Sequence, residues 1–155
     1  MSTNEPLVYG AIVQELWVAA RYGQELSRAE LEAAGVDPEE YGFLSFVGTL
    51  QPVTRTTLAA ATGLRRTTLR DAITRLLERG HVEERANPHD GRSRLLTLTP
   101  AGQDVFDRGL PAFLRVLVAL DRELDGELDE LERAVRRVRL ALQALSERGP
   151  PGDPP

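Results

Sequence analysis

The hydrophobic pattern changes from a helical to a strand period in the middle of the chain, and this change limits the fold more than any other feature. Before Gly80 the apolar residues recur every three or four positions, as in Leu69, Ile73 and Leu76, which is helical spacing. After Gly80, apolar and polar residues alternate in HVEERA and SRLLTLT, the pattern of two paired strands. The turn formers of PHDGRSR (residues 88–94) separate the two runs. The sequence therefore predicts a helix followed at once by a β-hairpin.

A shorter helix before this one makes the pair a candidate helix-turn-helix. The pattern predicts helices over residues 58–62 and 66–79, with Gly63 at the sharp turn between them. Leu58 and Leu69 are spaced to pack the two helices together. Side chains near the N-terminus of the second helix can then address DNA bases and phosphates. Those on its outer surface are Arg66, Thr67, Thr68, Arg70 and Thr74.

Charge is distributed unevenly along the chain. The formal net charge is −5, yet residues 54–94 hold nine arginines against five acidic residues, a balance of +4 that leaves −9 for the remainder. A basic segment inside an acidic protein favours a local surface for an anionic partner. The alternative is a solvated face with scattered ion pairs.

Length and composition exclude several classes of protein. A chain of 155 residues fits a single domain over residues 1–155, and no apolar run approaches the roughly 18 residues of a membrane-spanning helix. The N-terminus MSTNEP has no basic region followed by an apolar core, so we predict a cytoplasmic protein without a membrane partner. With no cysteine, disulfides, thiolate nucleophiles, thiol redox sensing and thiolate metal sites are excluded.

Enzymatic and metal-binding interpretations find little support. His81 and His89 flank the hairpin tip, but no third ligand accompanies them, and neither has a nucleophile or a paired acid in a recognisable setting. The many carboxylates fall mainly on solvated helix faces. We therefore predict no catalysis, no metal and no cofactor.

The flanks of this region are predicted to be helical. Residues 7–27 form a long first helix by their spacing. A second helix begins at VDPEEY, where Asp37 can cap, Pro38 suits the first helical position, and Val36 with Tyr41 can form a hydrophobic staple. This helix should run to about Leu50, and QPVTRTT then breaks the pattern.

The C-terminal part carries a heptad seam. Its apolar positions step 3,4,3,4,3 along Leu128, Leu131, Val135, Val138, Leu142 and Leu145. One short chain has little surface left to cover the seam, which favours pairing with a second chain; the alternative is an intramolecular bundle. In the preceding helix Pro111, after Gly109, should cause a kink. Residues 148–155 are predicted to be a disordered tail by composition.

The segment from Leu58 to Gly102 resembles the MarR family of bacterial transcriptional regulators. The matching motifs are the LA…G helix, RRTTLRDAITRLLERGHVEER, the DGR at residues 90–92, and LTLTPAG after the second strand. The order of the surrounding elements extends the resemblance to residues 7–147. It implies a mainly α fold with a small β-hairpin wing: a winged helix-turn-helix lobe (residues 54–100, the winged lobe) flanked by dimerisation helices (residues 7–27 and 102–147).

The resemblance also implies partners and residue roles. It implies a homodimer on a pseudo-palindromic operator in double-stranded DNA, with Arg92 in the minor groove, Asp90 holding the wing and Arg94 meeting phosphate. The predicted DNA-binding residues are Arg65, Arg66, Thr67, Thr68, Arg70, Thr74, Arg75, Asp90, Arg92 and Arg94. Between Asp90 and Arg92, Gly91 replaces the Arg or Lys that the family often has at this position, which removes one possible contact with the DNA backbone. For Arg92 and Arg94 the alternative is a solvated hairpin tip.

Members of this family commonly respond to small aromatic or phenolic compounds bound between the dimerisation helices and the winged domain. Candidate residues for such an effector are Trp17, Tyr22, Tyr41, Phe43 and Phe46, with core or interface packing as the alternative. The resemblance implies a regulator, by family default a repressor, that a small effector releases from DNA. The alternative is a helical protein-interaction module or antirepressor without ligand response, which would keep the seam but would not need an arginine on the wing.

Overall fold

The computed structural model describes the backbone of residues 5–148 and the side chains of residues 11–148. Within this range the chain forms six helices and three strands. In chain order these are α1 (Glu5–Ala33), α2 (Pro38–Leu50), β1 (Val53–Thr54), α3 (Arg55–Thr62), α4 (Arg66–Glu78), β2 (Val82–Ala86), β3 (Arg94–Leu98), α5 (Pro100–Glu123) and α6 (Leu128–Arg148). The predicted fold, mainly α with a small β-hairpin, is confirmed. No helix in the described range is long and apolar enough to cross a membrane.

The first two helices follow local signals in the sequence. Helix α1 extends to Ala33, beyond the predicted end at residue 27. The Asp37 side chain caps α2, because its Oδ1 accepts hydrogen bonds from the backbone N–H groups of Glu39 (3.0 Å) and Glu40 (3.4 Å). Pro38 occupies the first turn. The predicted start and end of α2 are both confirmed.

The hairpin is joined by a third strand that the sequence did not predict. Strands β2 and β3 pair antiparallel with Val82 opposite Leu98 and Ala86 opposite Arg94. Strand β1 pairs with the other edge of β3, with Val53 opposite Leu96, so the order is β1-β3-β2. The segment QPVTRTT was therefore wrongly interpreted as only a break. Two residues are too few to show the alternation by which a strand is recognised.

The helix-turn-helix has the predicted turn and an earlier start. Helix α3 begins at Arg55 because the Thr54 side chain accepts a hydrogen bond from the backbone N–H of Thr57 (3.1 Å). Gly63 ends it with a left-handed φ of 66°. Helix α4 buries the three predicted residues and one more: Leu69, Ala72, Ile73 and Leu76.

Helix α5 crosses the winged lobe and α2 at two glycines. A Cβ on Gly102 would lie 1.9 Å from the His81 carbonyl oxygen, and one on Gly109 would lie 2.1 Å from the Tyr41 ring. Only glycine permits these close approaches. The helix continues through Pro111 to Glu123, and the kink expected there stays a prediction.

The core lies between Leu31 and Ala112, and α6 does not contribute to it. Every buried hydrophobic residue of the described chain falls in that range, with Leu44, Leu58 and Leu96 completely inaccessible. Helix α6 has no buried residue along its described length. It includes residue 148, which was assigned to the disordered tail, because the helical segment runs on to that arginine. The rest of the predicted tail, residues 149–155, lies outside the described residues.

Candidate nucleic-acid interface

The predicted recognition residues lie on the exposed side of α4 and at its N-cap. All seven of them are exposed: Arg65, Arg66, Thr67, Thr68, Arg70, Thr74 and Arg75. Their exposure follows from burial of the opposite face, where Leu69, Ile73 and Leu76 anchor the helix in the core. The N-terminal turn of α4 is therefore held rigidly while its outer surface is open to a partner.

These residues do not form one uniform basic face. At ~100° per residue, Thr67 and Thr74 lie opposite the buried face, with Arg66 and Arg70 on one flank. Asp71 shares the outer face, and its Oδ1 lies 3.5 Å from Nε of Arg70. We did not identify this acid as a surface residue from the sequence, although its position in the helical period could have shown it. The recognition surface is thus mixed rather than purely cationic.

Arg75 belongs to the other flank of α4. With Arg79 it borders a shallow groove beside the acidic N-terminus of α2, which contains Asp37, Glu39 and Glu40. The structure therefore places Arg75 beside the start of α2.

Short-range hydrogen bonds close the hairpin tip. Oδ1 of Asp90 accepts from the backbone N–H of Arg92 at 3.0 Å, and the Asp90 carbonyl accepts from that of Ser93 at 3.0 Å. The Asn87 side-chain amide donates to Oγ of Ser93 at 2.8 Å. The tip therefore has a defined turn, and the exposed Arg92 side chain extends from it.

Arg94 is part of strand β3 and has a protein partner. Its Nε lies 3.4 Å from Oε2 of Glu84, and its Nη2 donates to the Glu84 carbonyl at 3.4 Å. Arg55, the first residue of α3, donates from Nε (2.9 Å) and Nη2 (2.6 Å) to Oε1 of the same carboxylate. From the sequence, Arg55 was counted only among the nine arginines of residues 54–94, and Glu84 was not predicted to be its partner. The alternation that groups Glu84 with Val82 contained a signal for its inward position.

A second charged cluster joins α2 to the end of α4 and the start of β2. The two Glu40 oxygens bind Arg79 and His81, and Arg79 also contacts Oδ2 of Asp37 at 3.2 Å. Burial would raise the pKa of Asp37, but the Arg79 hydrogen bond and the backbone N–H groups of the α2 cap outweigh it and leave that pKa lowered. Hydrogen bonds to Glu40 and then to Asp37 raise the pKa of Arg79.

The two histidines contact different residues. His81 binds Glu40, whereas the backbone N–H of His89 donates to Oδ1 of Asn87 at 3.0 Å within the tip. Over residues 11–148, no group of three or more metal-ligating side chains occurs.

The five aromatic effector candidates do not converge within one chain. Tyr41 and Phe43 are core residues, 2% and 9% exposed. Burial, and then the charge of Asp107, raise the pKa of Tyr41. Trp17 and Tyr22 lie on α1 with 80% and 56% of their surface exposed, and Phe46 is 39% exposed on α2.

The chain matches known transcriptional regulators in sequence and in structure. The model of the MarR family matches residues 34–93, which hold the recognition helix and most of the wing. A Thauera aromatica protein, whose name assigns it to regulation of the hcr operon, is 27% identical over 132 residues, which are 82% of this chain and 77% of that protein.

Two solved structures extend the likeness to the flanking helices. A Listeria monocytogenes structure described as a MarR family transcriptional regulator complexed with 26mer DNA gives a TM-score of 0.76 at 18% identity, covering 92% of this chain and 97% of that one. The PcaV transcriptional regulator of Streptomyces coelicolor, in complex with its natural ligand, gives a TM-score of 0.62 at 25% identity, covering 80% and 91%. Residues 34–93 of this chain therefore match the MarR family, a family of transcriptional regulators, and the chain as a whole shares the fold of these two solved regulators.

Proposed function

We propose that this chain is a dimeric, sequence-specific regulator that binds double-stranded DNA through its winged lobe. The observation that carries the proposal is that two exposed elements project from one rigid core. Helix α4 exposes Arg66, Thr67, Thr68 and Arg70, and the closed hairpin tip exposes Arg92. Such a pair suits a major groove and the adjoining minor groove, because a helix fits only the wider of the two.

The side chains of α4 and Arg92 on the hairpin tip would recognise different features of DNA. Threonine and arginine side chains at the start of α4 can hydrogen-bond to base edges, which gives sequence preference. Arg92 on a slender turn would detect the width and the negative potential of the minor groove. The likeness to a Listeria monocytogenes regulator complexed with 26mer DNA supports this mode of binding. The regulator would act in the cytoplasm, where the DNA of a bacterium lies.

Dimerisation is supported by apolar surface that one chain leaves uncovered. Helix α1 exposes Trp17, Val13 and Ile12, at 80%, 54% and 50%. Of the predicted α6 seam, Leu131, Val135, Leu142 and Leu145 are exposed by 39–50%, and Leu128 and Val138 are intermediate. Exposed apolar residues of this kind along two helices favour an interface. A second copy would cover it and place two winged lobes about one helical turn apart on a pseudo-palindromic operator.

Repression relieved by a small aromatic effector is the finer part of the proposal. PcaV, which binds a natural ligand, is 25% identical to this chain. Trp17, Tyr22 and Phe46 are the candidate contacts still accessible in one chain. A pocket that uses them would be completed by the second subunit, whereas Tyr41 and Phe43 would support it from the core.

The test is affinity for an operator selected from a random duplex pool, measured across salt concentrations. Thr68→Ala should lose about 1–3 kcal/mol on one or two base pairs and leave the others unchanged. Arg92→Ala should weaken binding to all operators and reduce the slope of log K against log salt by about 0.9. If the wild type showed no salt-dependent binding to duplex DNA, the protein-interaction or antirepressor alternative would replace this proposal.

A further inference from the structure

Glu84 occupies an unusual place beneath the hairpin tip. It pairs in register with Leu96, which in turn pairs with Val53, and both of these are buried. Directly paired residues point to the same face of a sheet, so the Glu84 carboxylate lies on the core side of the wing. Only 18% of its side chain is exposed. A carboxylate in such a position needs cationic or hydrogen-bonding partners.

Two arginines from different elements supply those partners. Arg55 donates two hydrogen bonds to Oε1, whereas Nε of Arg94 lies 3.4 Å from Oε2 and its Nη2 donates to the Glu84 carbonyl at 3.4 Å. The Arg55 side chain is 44% exposed and that of Arg94 is 58% exposed. One negative charge is thus shared between two cations, so the group carries a net charge of +1 where two unpaired arginines would carry +2.

We propose that Glu84 limits the affinity of the winged lobe for DNA by holding Arg55 and Arg94 in competition with phosphate. The inference rests on the proposed function, since it concerns the strength of the same DNA surface. When Glu84 loses its charge, Arg94 rather than Arg55 binds phosphate. Its ion pair with Glu84 is longer than that of Arg55, and its side chain is more exposed. Under the proposed function Arg92, two residues earlier on the exposed tip, makes the minor-groove contact of the wing in the wild type.

The decisive variant is Glu84→Gln, which removes the charge and keeps the shape. The slope of log K against log salt should steepen by about 0.9, the value for one added phosphate contact, and nonspecific duplex should bind about 5-fold more tightly at about 0.15 M salt. Arg94→Gln on the Glu84→Gln background should remove the gain. Glu84→Asp, which restores the charge, should return the slope toward that of the wild type.

Glu132→Gln is the matched control. It changes the net charge equally and also breaks an arginine pair, since Glu132 binds Arg136 at 2.6 Å, but it lies on α6 outside the winged lobe. Its salt slope should equal that of the wild type. An equal gain in this control, or an unchanged slope in folded Glu84→Gln, would overturn the inference and leave the proposed function intact, because the wild type would still bind.

If circular dichroism shows that Glu84→Gln does not fold, the single variant Arg94→Gln, made in the wild-type background, tests the proposal. An arginine already held by Glu84 adds little to DNA binding, so this variant should leave the salt slope nearly unchanged. A reduction as large as that of Arg92→Gln would contradict the proposal. If the wild type itself did not bind duplex DNA, both the inference and the proposed function would fail.

Discussion

The winged lobe and α6 have comparably regular apolar patterns, but they differ in what covers them. In the lobe, Leu58, Ile73 and Leu96 are at most 1% exposed, because α3, α4 and the sheet close over one another. On α6, Val135 is 50% exposed and Leu142 is 44% exposed. The difference shows that an apolar stripe indicates only that a face must be covered; whether the cover comes from the same chain depends on the fold.

Helix α1 is buried near its C-terminal end and exposed nearer its N-terminal end. Near its C-terminal end Leu31 is 3% exposed and belongs to the core, and Glu30 binds Arg115 of α5 at 2.7 Å. Two turns or more earlier, Tyr22 and Trp17 are more than half exposed. The boundary between the part of α1 that packs in the core and the part that stays exposed in one chain therefore lies within this helix.

The comparison predicts its largest effect inside the lobe. Leu58→Ala should lower the free energy of unfolding by about 2–5 kcal/mol, because it leaves a cavity in a fully buried site. Leu140→Ala on α6, where the leucine is 51% exposed, is the control and should change it by less than about 0.5 kcal/mol. Urea unfolding measures both. If Leu58→Ala and Leu140→Ala lowered the free energy of unfolding equally, the two leucines would be equally buried in the folded protein.

A charge on the α6 seam should separate assembly from folding. Leu142→Glu is expected to give a folded monomer by light scattering, with DNA affinity reduced about 100-fold as the two winged lobes lose their linkage. Leu140→Glu is matched in residue type and exposure but lies about 160° away around the helix, so it should remain dimeric. A monomeric wild type, or a dimeric Leu142→Glu variant, would show that the seam does not join two chains.

The smallest effect concerns the polar contacts that tie α2 to the end of α4. Asn caps a helix nearly as well as Asp, so Asp37→Asn mainly removes the charge facing Arg79. The pKa of Asp37 is lowered in the folded protein, so its contribution is present above the unfolded pKa and is lost as pH falls through the folded pKa.

Wild type should therefore exceed Asp37→Asn in stability at pH 7, by far less than the Leu58→Ala loss because both partners are about half exposed. The difference should shrink when urea unfolding is repeated at pH values below 3.8, the ordinary pKa of an aspartate side chain. A difference that did not change with pH would indicate that the substitution acts through the cap and not through the charge.

Several features could be predicted because their signals are local. The α2 start depends on Asp37 and Pro38, the α3 stop on Gly63, and the buried face of α4 on the spacing of Leu69, Ile73 and Leu76. Each signal acts within one or two helical turns. The predicted exposure of the α4 residues followed from the same spacing.

Other features depended on elements far apart in the chain. The bond from Arg55 to Glu84 joins residues 29 positions apart, and that from His81 to Glu40 joins residues 41 positions apart. Strand β1 exists only because β3 offers a free edge to Val53 and Thr54. Arg94, expected at phosphate, is held by Glu84 in this structure.

The sequence by itself determined the order of the helices, the helix-turn-helix, the hairpin and the resemblance to the MarR family, because caps, turns and hydrophobic periods act between neighbours along the chain. Only the tertiary structure decided which apolar faces the chain covers itself, which arginines are held by Glu84 and which remains exposed at Arg92. The physical reason is that burial and ion pairing depend on distances between elements, and these arise only when the helices pack on the sheet.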